Sequence, residues 1–65
     1  MCIIELIRRI THIPPLGNLV IASGVVSRRQ PTVFRISGGY RVVLDGRDSR
    51  DFVNPSDAAH FIRNQ

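Results

Sequence analysis

At 65 residues with a net charge of +4, the chain has room for one domain, and a domain this short buries only about 60% of the surface its unfolded form exposes. A single cysteine, Cys2, excludes an internal disulfide, and no Cys/His cluster offers the three or four ligands of a structural zinc site, so no cofactor is expected. Self-association, most simply a homodimer, is then the expected support for a small core, and the lack of a disulfide framework points to a cytoplasmic setting.

Ile3, Leu6, Ile7, Ile10 and Ile13 recur at helical spacing, with Glu5, Arg8, Arg9 and His12 on the other side. This predicts an amphipathic helix that Pro14-Pro15 ends, although so many β-branched residues also suit a strand. A signal peptide is not expected, because the arginines lie within and after the apolar run and not before it. No run of about 20 apolar residues is present, so no membrane partner is expected.

From Leu19 to Val26 the chain is apolar on both alternating faces, as in an inner strand covered on both sides, and Gly24 reads as a bulge or a close backbone approach. Arg28-Arg29-Gln30-Pro31 reads as a polar turn. The next two strands form a hairpin. A three-residue loop of Ser37, Gly38 and left-handed Gly39 pairs Ile36 with Tyr40 and Phe34 with Val42, which keeps apolar residues together on a core face. The same register puts Arg35 opposite Arg41 on the outer face, beside Val33 and Val43.

A turn over Gly46 to Arg50 leads into a short strand around Asp51 to Val53. Asn54-Pro55-Ser56-Asp57 then supplies an N-cap, a proline at the first helical position and an acid in the first turn, with Val53 and Ala58 as a hydrophobic staple. Ala58, Phe61 and Ile62 form the buried stripe of the closing helix. The whole, residues 1–65, reads as one compact α+β domain: a small antiparallel sheet of three to four strands between an N-terminal and a C-terminal helix.

No catalytic group emerges. Asp45, Asp48 and Asp51 lack the spacing of an EF-hand calcium loop, and interleaved Arg47 and Arg50 make a salt-bridged hairpin tip of them. His12, His60 and Cys2 are not grouped as nucleophile and base, and Ser37-Gly38-Gly39 is a hairpin loop and not a phosphate loop, so the chain is expected not to be an enzyme.

All nine basic residues are arginine, whose planar guanidinium makes bidentate contacts with carboxylates and phosphates. Opposed Arg35 and Arg41 await an anion or splay into solvent. With Val33 and Val43 they make a mixed apolar and arginine patch of the kind enriched in protein interfaces, and Arg28 and Arg29 extend it. Nucleic acid is the alternative partner, since the same arginines can track phosphates, but Phe34 and Tyr40 on the core face leave no stacking platform.

From Gly39 onward, Gly-Tyr-Arg-Val-Val-Leu-Asp-Gly followed by Asp-Phe-Val-Asn-Pro-Ser-Asp-Ala-Ala-His-Phe-Ile resembles the closing β-β-α unit of small phage and mobile-element accessory proteins, the anti-CRISPR inhibitors among them. The resemblance implies a phage protein that inhibits a host protein or ribonucleoprotein complex by protein-protein interaction without catalysis. Many such inhibitors are acidic mimics of nucleic acid. A basic chain implies instead an acidic protein surface, or the guide and target strands, as the target.

Overall fold

A computed structural model describes residues 1–21 and 28–65. The α+β fold runs α1 (Ile3–Thr11), β1 (Asn18–Val20), β2 (Pro31–Ile36), β3 (Gly39–Leu44), β4 (Asp48–Phe52) and α2 (Pro55–Arg63). The four strands form one antiparallel sheet in the order β1-β2-β3-β4. Both helices lie on one side of it, and the chain makes a slab of 28 × 26 × 16 Å.

The opening segment resolves to a helix over Ile3–Thr11 because its apolar residues share one stripe. Leu6 and Ile10 are fully buried, and Glu5 in the first turn and Arg8 and Arg9 in the last oppose the helix dipole. Thr11 Oγ1 donates to the Ile7 carbonyl at 2.8 Å, and Ile13 N donates to the Ile10 carbonyl at 3.2 Å before Pro14 stops the helix.

The closing helix starts where expected, with Pro55 at its first position and the Asn54 carbonyl accepting from Ala58 N at 3.2 Å. Two details differ from the sequence reading. The Asn54 side chain caps no backbone amide and reaches Asp57 instead, and Val53 is 77% exposed, so no staple with Ala58 forms. Phe61 does its anchoring elsewhere: its ring lies 5.2 Å from that of Phe52 on β4, and Arg50 lies over both rings at 5.3 and 5.6 Å.

Of the expected inner strand over Leu19–Val26, Ala22–Val26, Gly24 included, lie outside the described residues. Its described start is corrected: β1 occupies the end of the sheet order, with Val20 69% exposed, so Leu19 and Val20 lie on an end strand and not an inner one. The last strand also begins earlier than expected, at Asp48. The β3–β4 turn accounts for this. Asp45 and Gly46 both take positive φ, 55° and 71°, as a type I′ turn demands, and Arg47 N donates to the Leu44 carbonyl at 3.0 Å.

The β2–β3 register differs most. Ile36 pairs with Gly39, Arg35 with Tyr40, Phe34 with Arg41 and Val33 with Val42, around a two-residue Ser37-Gly38 turn. Gly38, not Gly39, carries the positive φ of 83°. This single shift inverts β2. Pro31 and Val33 enter the core beside Tyr40, Val42 and Leu44, while Thr32, Phe34 and Ile36 move to the face opposite the helices.

Candidate functional site

Because side chains alternate across strands, the pairings fix what is displayed on the uncovered face, the one that neither helix covers. One row across the sheet reads Asn18, Phe34, Arg41, Asp51; its neighbour reads Val20, Thr32, Val43, Ser49. Ile36 lies one pair beyond Phe34. Antiparallel sheets with one solvated face normally present polar residues there, whereas this face presents Val20, Phe34, Ile36 and Val43. A shallow depression of about 340 Å³ opens among Leu16, Gly17, Phe34, Arg35, Ile36, Arg41 and Val43.

Leu16 is the least expected member. It is 97% exposed with φ 64°, and Gly17 N donates to the Pro14 carbonyl at 2.8 Å. Pro14 to Gly17 thus makes a tight turn with Pro15 in its favoured place and left-handed backbone at the next residue, where glycine or asparagine is the usual choice. Left-handed backbone at a leucine costs about 1–2 kcal/mol, and this leucine recovers nothing by burial within the chain.

Among the described residues, the ion pair on the face is Arg41 with Asp51, its direct cross-strand neighbour. Arg41 Nε donates to Asp51 Oδ1 at 2.8 Å and the guanidinium donates to Oδ2 at 3.1 Å, a bidentate pair. The hydrogen bond from Arg41 holds the Asp51 carboxyl below its ordinary range, and the same bond raises the arginine. A depressed carboxyl adds stability that is present above its unfolded pKa and is lost as pH falls through the folded one. Arg41→Gln is therefore expected to lower the unfolding midpoint near neutral pH, with the gap to wild type closing once Asp51 is protonated. A gap that persisted in acid would show that packing, and not charge, set it.

The six residues expected to form one patch separate into four places. Val43 and Arg41 lie on the uncovered face. Val33 is fully buried in the core, opposite Val42. The Arg35 side chain lies on the helix side, 5.2 Å over the Tyr40 ring and donating to the Ile13 carbonyl at 3.0 Å, so the Arg35–Arg41 opposition does not exist, although both residues line the depression. Arg29 is at the far end of the sheet. It holds Asp45 at 2.9 Å and also pairs with Asp48, bonds that raise its pKa, while its carbonyl accepts from Asp45 N at 3.0 Å. Arg28 is exposed next to it.

Asp45 and Asp48 at the β3–β4 turn are thus held by Arg29, and Asp51 within β4 by Arg41, not by Arg47 and Arg50 as expected. No group of three or more candidate metal ligands occurs among the described residues, and no helix there is long and apolar enough to cross a membrane. Sequence reasoning missed Leu16, Phe34, Ile36 and Asp51 as face residues. Pro-Pro-Leu-Gly carried a usable signal, since a proline-initiated tight turn asks the third position for left-handed backbone. No protein-family model, curated protein or solved structure matches the chain, and its own geometry is what its function has to be read from.

Proposed function

We propose that the chain is a non-catalytic cytoplasmic binding protein of the phage accessory type, which inhibits a host complex by seating its uncovered sheet face on a protein surface. The observation that carries this reading is Leu16, a fully exposed leucine in strained backbone at the rim of an apolar sheet face. Backbone strain and exposed apolar area both oppose the isolated fold; a partner that fills the depression removes the apolar area from water, a gain that offsets the strain of holding Leu16 out. The partner chemistry is an apolar, nearly uncharged protein patch, since the face balances Arg41 against Asp51 although the chain carries +4.

The protein reading is favoured over the nucleic-acid one by where the arginines are spent. Arg29 and Arg41 are paired with carboxylates, Arg35 and Arg50 lie over aromatic rings, and Tyr40 is buried, so the face offers a single exposed ring, Phe34, and not the succession of stacking groups that a strand of nucleic acid asks for. Leu16→Asn tests the reading, because asparagine accepts left-handed backbone. The variant is expected to match or exceed wild-type stability by up to ~1 kcal/mol, the strain it removes, while losing at least tenfold in capture of the host protein that wild type retains. Equal capture by wild type, Leu16→Asn and Phe34→Ser would place binding elsewhere. Binding to DNA or RNA that weakens steeply with salt, by a slope of about −0.9 per phosphate on duplex DNA, would favour the nucleic-acid alternative.

A further inference from the structure

We infer that the same face closes on a second copy of this chain, forming a two-fold dimer in which the two sheets pack face to face with the helices outside. The inference rests on reading this face as an interface, and adds that its first occupant is the chain itself.

The argument is the order of side chains along one row. An isologous interface must be complementary to its own reverse. With a two-fold axis running along the strands between β2 and β3, the row Asn18–Phe34–Arg41–Asp51 meets itself read backwards. Each Phe34 ring then faces a partner guanidinium at Arg41, a cation–π arrangement, and each Asn18 amide faces a partner Asp51 carboxylate, a donor to an acceptor. No like charges stand directly opposite, and the two guanidiniums that flank the axis are each paired with their own chain's Asp51. In the adjoining row Thr32 faces Val43 and Val20 faces Ser49, all small enough for close approach of sheets about 10 Å apart.

One face cannot hold a second copy and a host surface together. Dimerisation therefore sets the fraction of chain competent to bind the host, and apparent host affinity falls by that fraction.

Sedimentation equilibrium over a concentration series tests the inference. Wild type is expected to move from the 7.3 kDa monomer toward twice that mass as concentration rises. Asn18 lies on the first strand of the sheet, with Phe34 and Arg41 between it and Asp51 in the row, so charge there reaches Asp51 chiefly through the dimer. Asn18→Arg is expected to tighten association about tenfold and Asn18→Asp to weaken it about as much, the size of two symmetric exposed charge pairs. Phe34→Ser should be monomeric throughout, with circular dichroism checking its fold. A wild type that stays at monomer mass to millimolar concentration overturns the inference, as do Asn18 variants that shift association in the same direction. A monomer that still captures a host protein through Leu16 overturns the dimer alone, whereas a dimer that captures nothing overturns only the proposed function.

Discussion

Ile62→Ala is expected to remove about 2–5 kcal/mol of folding stability, the usual loss when a fully buried isoleucine is cut to alanine. Ile62 has no exposed surface and sits in the cluster where α1, α2 and β3 meet, with Leu6, Ile10, Val42 and Leu44. A chain of 65 residues at ~0.05–0.15 kcal/mol per residue has roughly 3–10 kcal/mol in total, so the variant is left marginal or unfolded at room temperature. Urea denaturation at one fixed protein concentration reads the effect as a lower midpoint with an unchanged slope. Ile62→Val, which removes one methyl, should lose only ~0.5–1.5 kcal/mol. If alanine and valine behaved alike, Ile62 would not be the packed residue its burial indicates.

That core was legible in the helices and half-legible in the sheet. Leu6, Ile10 and Ile62 repeat at helical spacing against polar neighbours, so one assignment of faces was possible, and Pro14 and Asn54-Pro55 marked where the helices stop and start. In β2 the same logic had no purchase. Pro31, Val33 and Arg35 alternate with Thr32, Phe34 and Ile36, so the more apolar set is the one that faces out. Burying Phe34 and Ile36 with Tyr40, Val42 and Leu44 is the obvious choice if the face away from the helices is polar. It is not polar. A sheet with two apolar faces offers no period-2 signal to set its register, and the turn decides instead. The candidate site was misplaced for the same reason: Arg35 passed to the helix side and Val33 to the core, while the apolar patch fell where a solvated face was expected.

The turn residues turn this into a measurement, because Gly38 and Gly39 are required for different reasons. Gly38 needs only its backbone: φ is 83° and nothing lies within 4 Å of where a methyl would go. Alanine there costs about 1 kcal/mol for left-handed backbone, and asparagine, which tolerates that region, recovers most of it. Gly39 has ordinary backbone but no room. A methyl would overlap the Phe52 carbonyl oxygen and lie 3.1 Å from the Phe52 carbonyl carbon and 3.2 Å from Val53 Cα, all of it main chain that cannot swing aside. Relief requires β3 and β4 to part at the Tyr40–Phe52 pair, which also pulls at the Phe52–Phe61 contact that holds α2. Gly39→Ala is therefore expected to cost about 3 kcal/mol, the upper end for overpacking a well-fitted site, and Gly39→Asn at least as much. Thermal unfolding of the four variants separates the registers. With Gly38 as the left-handed residue, asparagine is tolerated at 38 and ruinous at 39; a three-residue loop with left-handed Gly39 demands the reverse order.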